Sequence, residues 1–160
     1  MNSIMQNDYP VFRLYQALRT QLMGLLSDDD LAFSPGGDNP TLGELCREMG
    51  EVQHAYVQSF WTFTMTFEYR NETPGLAGSV AQLAGWYQAL DEALAAAVTA
   101  LTEGDIAERR IARPEEGFAP LPGTQLAVYR EALLIFYGKV SVYLKVLGKA
   151  RPAQWQQWIA

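Results

Sequence analysis

The 160-residue chain has one cysteine, Cys46, and one histidine, His54. A lone cysteine excludes an intramolecular disulfide, which fits a reducing, cytoplasmic setting. A lone histidine excludes a three-histidine metal site, and also a di-iron site built from two Glu-x-x-His units. Charge is sparse too: Asp, Glu, Lys and Arg make up 19% of the residues, below the usual quarter. Lys plus Arg number 12 against 18 Asp plus Glu, a formal net charge of -6. Phosphate backbones repel an acidic chain, so nucleic-acid binding would require a strong local basic patch. The densest basic cluster, Arg109, Arg110 and Arg113, is interrupted and followed at once by Glu115 and Glu116. It reads as a solvated loop, and no nucleic-acid partner is expected. No run of about 18 uninterrupted apolar residues exists, so no membrane span or membrane partner is expected. Met1 to Asp8 lacks the basic and apolar regions of a signal peptide. Internal repeats and low-complexity tracts are absent. Gly36-Gly37 has no following Lys-Ser/Thr and no preceding strand, so it is a turn rather than a phosphate loop.

What is present is apolar residue, 49% of the chain, enough to fill a core in one domain spanning 1–160. It is distributed with helical periodicity. Val11, Leu14, Tyr15, Leu18, Leu22 and Leu25 recur at steps of three and four and predict a first helix, with Asp8 as its cap and Pro10 in its first turn. Thr41-Leu-Gly-Glu44 is a capping box that opens a second helix. The stripe there, Leu42, Leu45, Met49, Val52, Tyr56, Phe60, Phe63 and Phe67, predicts a helix to about Tyr69, roughly 40 Å long. Ser79-Val-Ala-Gln82 opens the third helix, whose stripe runs Val80, Leu83, Tyr87, Leu90, Leu94, Val98, Leu101, with Gly104 as C-terminal cap. Asp105 to Gly123 is a long irregular connection with three prolines, a length that points to a functional segment or a crossover. The fourth helix is predicted over about Thr124 to Leu147, closed by Gly148. Its main stripe is Leu126, Tyr129, Leu133, Tyr137, Val140, Leu144, Leu147. A second apolar stripe, Val128, Ala132, Ile135, Val142 and Val146, lies on another side of it. A helix apolar nearly all round is buried on more than one side, which implies a central position, a subunit interface, or both. Trp155, Trp158 and Ile159 are expected to dock as a short final helix. Four stripes without any period-two segment define an all-α, up-down four-helix bundle.

Few residues carry chemistry. Glu51-Val-Gln-His54 is the single Glu-x-x-His unit. At about 100° per residue both side chains fall away from the core stripe and are expected to face solvent, so a surface pair is favoured over a metal site. Cys46 and His54 are separated by roughly 12 Å of helix axis, too far for a nucleophile and its base; a buried inert thiol is expected. Glu48 flanks the stripe beside Leu45 and Val52 and is expected to be half-buried. It then acts either as a general acid or base or as the structural partner of Lys139 or of an arginine, the second being favoured. Gln53 lies near the middle of the apolar face and reads as a buried amide bonded across helices. Trp61 falls off the main stripe and is an interface or pocket candidate.

The fourth helix, Arg130-Glu-Ala-Leu-Leu-Ile-Phe-Tyr-Gly-Lys-Val-Ser-Val-Tyr-Leu-Lys-Val-Leu-Gly148, resembles the last core helix of DinB/YfiT-like proteins. That helix typically reads His-Glu-x-His-His-Arg-Gly-Gln and ends Tyr-Leu-Arg-Leu-Leu-Gly. Thr41-Leu-Gly-Glu-Leu45 resembles the start of the family's second helix, and the helix order with its long excursion agrees. The resemblance implies a divalent metal held by one histidine of helix two and two of helix four, serving metal-dependent hydrolases or thiol-dependent transferases and isomerases. Here those positions fall on Glu48, Ala132 and Phe136. Gly138 keeps the family's glycine, while Tyr137 and Lys139 replace Arg and Gln. No histidine occurs anywhere in helix four, so neither a metal nor another cofactor is expected. The leading expectation is a homodimeric interaction protein that has lost the family's metal site, with a small apolar ligand as a further partner class. The alternative is an enzyme with a non-family site at Glu48 and Lys139, with Tyr137 or Tyr143 nearby.

Overall fold

The computed structural model describes residues 1–114 and 117–159. Its helices are α1 (Ser3–Asn7), α2 (Tyr9–Leu25), α3 (Asp28–Leu31), α4 (Leu42–Thr62), α5 (Val80–Ala100), α6 (Glu103–Glu108), α7 (Pro122–Val146) and α8 (Ala153–Trp158). The four long ones, α2, α4, α5 and α7, form the all-α bundle and share one continuous core. None of the described helices is long and apolar enough to cross a membrane. The stripes of α5 and α7 are buried as the periodicity predicts except at their ends, where Val80 and Leu147 are half-buried; Leu83, Leu94 and Val98 of α5 and Tyr129, Leu133, Tyr137, Val140 and Leu144 of α7 are in the core.

The first helix differs from its predicted stripe. Val11 and Leu14 are exposed, while Tyr9, Phe12, Gln16, Arg19 and Met23 are buried with Leu18 and Leu22. The inward face is turned by roughly a quarter of the circumference, because two polar residues, Gln16 and Arg19, belong to the core. Nor does Asp8 cap α2 with its side chain. The short α1 precedes it instead, anchored by Asn2, whose Nδ2 donates to Val98 O at 2.7 Å and Leu101 O at 2.9 Å.

Helix α4 opens with the predicted Thr41–Glu44 capping box but stops seven residues early. Thr62 turns its hydroxyl back to Gln58 O at 2.9 Å and accepts from Thr64 N. Phe63 then takes a left-handed conformation with φ 56°, uncommon for a bulky side chain and held only when the surroundings insist on it. Those surroundings are on the chain: the Arg109 guanidinium lies 3.6 Å over the Phe63 ring. Ala112 N donates to Phe63 O at 2.9 Å, and Met65 N to Ala112 O at 2.8 Å. Residues 64–75 fold back as a strap along α4, carrying Phe67 and Tyr69 with them.

The connection before α7 is partly ordered. Gly104 lies inside α6 rather than capping α5, because Thr102 and Asp105 form a new capping box there. Arg113 is buried, contrary to the expected solvated loop. Its Nη2 donates to Tyr56 Oη at 3.1 Å and Gln125 Oε1 at 2.9 Å, and Gln125 Nε2 donates to Ser59 Oγ at 2.9 Å. This polar lock ties the connection to α4 and α7. Glu115 and Glu116 lie outside the described residues. Gly148 adopts φ 67° and closes α7, as expected.

Two glycines allow close approach along α4. A Cβ on Gly43 would sit 1.7 Å from Ala77 O, and one on Gly50 would sit 2.2 Å from the Trp86 ring. Both distances are far inside van der Waals contact.

Candidate functional site

Antiparallel packing of α4 against α7 sets Glu48 beside Lys139 and Phe136, about three helical turns from the Ser59–Gln125 bond. The three positions that the sequence resemblance assigns to a metal, Glu48, Ala132 and Phe136, line one cavity of about 170 Å³ together with Lys139. Leu45, Met49, Val52 and Ile135 supply the rest of its wall. The cavity opens to solvent. Phe136 is buried and fills the floor, whereas Glu48 and Lys139 are both exposed at the mouth. The expected half-burial of Glu48 therefore does not occur. No ion pair joins it to Lys139 or to an arginine among the described residues. The reason is geometric: α7 presents small Ala132 next to Glu48, so nothing roofs the carboxylate. Of the nearby tyrosines, Tyr143 donates to Pro40 O at 2.8 Å, and burial, then Glu44 and Glu48, raise its pKa. Tyr137 points into the core and donates to Tyr15 O, away from the cavity.

A larger, more polar depression of about 530 Å³ continues from Glu48 and Val52 under the strap, lined by Arg47, Glu51 and Arg70. Glu51 and His54, predicted to face solvent, are covered there. Glu51 is 9% exposed; it accepts from Asn71 N at 2.9 Å and lies 3.6 Å from Arg47 and 3.9 Å from Arg70. His54 stacks on Tyr69 with ring centroids 3.7 Å apart, and burial lowers its pKa. Both corrections have one cause, the strap that replaces the last predicted turns of α4. Glu51 and His54 thus both hold the strap. Cys46 is buried as expected. Burial pushes its thiol up to about 12, against the opposing pull of Tyr87 and Arg19, so it is no thiolate nucleophile at neutral pH.

Gln53 is a buried amide bonded across helices, as predicted, but its partners were not foreseen. It accepts from the Arg19 guanidinium and donates to Asp91 Oδ1 at 2.7 Å. The same oxygen takes Arg19 Nη2 at 2.5 Å and Gln16 Nε2 at 2.7 Å. One carboxylate oxygen thus gathers donors from α2 and α4, and the Arg19 guanidinium also lies 4.0 Å over the Tyr87 ring. The test that singled out Gln53, a polar residue at core spacing, also finds Arg19, four residues after Tyr15 and three before Leu22. Trp61 is 50% exposed, consistent with its place off the stripe.

Among the described residues, no group of three or more His, Cys, Asp or Glu side chains is placed to hold a metal ion. The bundle with its open α4–α7 cavity defines a class of all-α helical proteins. The DinB superfamily model matches residues 13–131, and the chain belongs to that superfamily. Its fold is similar to the crystal structure of the DinB-like protein YjoA from Bacillus subtilis, with a TM-score of 0.68 and 17% identity over 87% of this chain and 90% of that one. No curated protein matches the sequence.

Proposed function

We propose that this DinB-superfamily bundle is a binding and interaction protein that works as a homodimer and has lost the family's metal chemistry. One observation carries the reading: the three inherited positions converge on one cavity yet offer a single carboxylate. A divalent ion needs several N, O or S donors at about 2.0–2.3 Å. Ala132 has none, Phe136 is a ring, and the Lys139 ammonium at the same cavity repels a cation. These residues do not fit a metal.

The cavity's size narrows what it takes. At about 170 Å³ it is below the roughly 300–1,000 Å³ of small-molecule pockets. It suits a partner's side chain or a very small apolar ligand. An enzyme built on Glu48 and Lys139 would need the carboxylate desolvated, and it is exposed. Three large apolar side chains on α7 also face outward: Ile135 at 63%, Val142 at 53% and Val146 at 60%. Their exposure along one side of α7 supports the interface reading.

The test is titration calorimetry with nickel and zinc on the wild type and on Glu48→His/Ala132→His/Phe136→His. The wild type should show no stoichiometric binding, and the variant should gain a site because the positions converge. The gain is modest, since side chains that would orient the imidazoles are not provided. Tight binding by the wild type would overturn the loss of the site. Light scattering at micromolar concentration should give the dimer mass, and a monomer there would overturn the interaction reading.

A further inference from the structure

We infer that the α4–α7 cavity takes a free α-amino acid with a branched aliphatic side chain: Glu48 receives its ammonium, Lys139 its carboxylate, and the apolar wall its side chain. The inference rests on the metal-free reading of this cavity and deepens it by naming the ligand class.

Most charged groups around the mouth are already engaged. Glu51 holds Arg47, Arg70 and Asn71 N. Arg70 also donates to Phe67 O and Tyr69 O. Glu44 accepts from Thr41 N and Thr41 Oγ1 in the capping box. Glu48 and Lys139 are left. Both line the cavity, yet among the described residues neither makes an ion pair, with the other or with a third group. Their charged ends therefore stand more than 4.0 Å apart.

Two opposite charges held apart at the mouth of one apolar cavity suit a group that carries both signs. A lone cation there meets the Lys139 ammonium, and a lone anion meets the Glu48 carboxylate; each contact is repulsive. A zwitterion meets both charges with the opposite sign. In an α-amino acid the ammonium, the carboxylate and the side chain diverge from one carbon. That carbon can sit at the mouth while the side chain points inward.

The wall selects the side chain. Leu45, Met49, Val52, Ala132, Ile135 and Phe136 surround the space, so a polar side chain would enter without a hydrogen-bond partner. At about 30 Å³ per water-sized group, a cavity of about 170 Å³ holds roughly five or six heavy atoms. That matches the α-carbon with the branched chain of valine, leucine or isoleucine, and a phenyl or indole ring exceeds it. The depression under the strap adjoins the cavity through Glu48 and Val52 and keeps the charged end of the ligand in water. Each charge contact is then of the modest, solvent-exposed kind, and the side chain supplies most of the affinity.

The experiment titrates the full chain in the presence of a chelator and follows backbone amide shifts by two-dimensional NMR. Millimolar leucine should give saturating shifts centred on Glu48, Val52, Ala132 and Lys139. Glycine should give none, and phenylalanine should bind about tenfold or more weakly than leucine. Leucinamide lacks the carboxylate and isocaproate lacks the ammonium, so each should bind about threefold or more weakly than leucine. Lys139→Gln should abolish the difference between leucine and leucinamide, and Glu48→Gln that between leucine and isocaproate. Both exchanges are at exposed side chains and leave the fold in place. Ala132→Leu fills the cavity and should remove binding. Absence of leucine shifts at these positions, or equal binding of leucine, leucinamide and isocaproate, would overturn the inference and leave the metal-free reading standing. Stoichiometric nickel or zinc on the wild type would overturn that reading and this inference with it.

Discussion

Replacing Asp91 with alanine should damage the fold more than any other single change outside the apolar core. The side chains of Arg19 and Asp91 are 2% and 29% exposed, and Asp91 Oδ1 also takes Gln16 and Gln53. Removing the carboxylate leaves a buried guanidinium with no counter-charge and Gln16 and Gln53 each without an acceptor. Losing one partner of a buried pair costs about 3–5 kcal/mol. Water reaches the open side of Asp91, so the low end, about 3 kcal/mol, is appropriate. For a chain of this length 1 kcal/mol is worth roughly 2–4 °C, so Tm should fall by about 6–12 °C. Asp91→Asn keeps an oxygen for the three donors and loses only the charge; it should cost about 1–2 kcal/mol. Arg19→Met removes the group that needs the charge, so Asp91→Ala should cost far less in that background, a coupling of about 2 kcal/mol. Thermal and urea melts followed by circular dichroism measure all of these. A Tm shift below about 2 °C for Asp91→Ala, or strict additivity in the double variant, would refute the assignment of this network as a structural keystone.

Gly43→Ala should destabilise by about 2–3 kcal/mol, because the clash is with the Ala77 backbone oxygen at 1.7 Å and backbone cannot swing aside; a denaturant melt within about 0.5 kcal/mol of wild type would contradict that. The sole imidazole, His54, should titrate below its usual 6.5 in a one-dimensional proton NMR titration, since burial lowers it. Linkage then gives its sign: the contribution to stability is full above the unfolded value near 6.5 and is lost as pH falls through the folded value, so His54→Phe should flatten that part of the pH–stability curve. Duplex DNA should not bind at low ionic strength, given the net charge of -6; a salt-sensitive gel shift would show that a local basic surface wins over the net charge.

The four long helices, their order and the α5 and α7 faces were legible in the sequence because apolar side chains alone set those faces, whereas the short α1, α3 and α6 were not. The α2 face was not, because Arg19 and Gln16 are core residues that a hydrophobicity pattern passes over, although Arg19 stands at core spacing. Only the matching charge on Asp91, 72 positions away, makes their burial tolerable, and local spacing carries no trace of it. The end of α4 was hidden for a similar reason. Phe63 and Phe67 continue the stripe, yet Arg109 and Ala112 from the far connection draw Phe63 into a left-handed turn. At the candidate site the convergence of Glu48, Ala132 and Phe136 was available only as an implication of the family resemblance, because spacing within each helix does not say which residues of the other it meets. The exposure of Glu48 was not, as it depends on the small side chain that α7 happens to place opposite.

The tail helix α8 makes the last stretch of chain part of the fold's centre. Trp155 is fully buried, packs 5.0 Å from Tyr137 and donates its indole N–H to Leu18 O across 137 positions. During synthesis the other helices can form as they emerge, but the site between α2 and α7 stays hollow until this indole arrives. A chain cut short before Ala153 would carry a tryptophan-sized void and an open hydrophobic seam, a flag that proteases read readily. The same burial makes the tail an intrinsic reporter. Its indole is shielded only when α8 is seated, so with Trp61, Trp86 and Trp158 replaced by phenylalanine the emission colour distinguishes a docked α8 from one that has come undone.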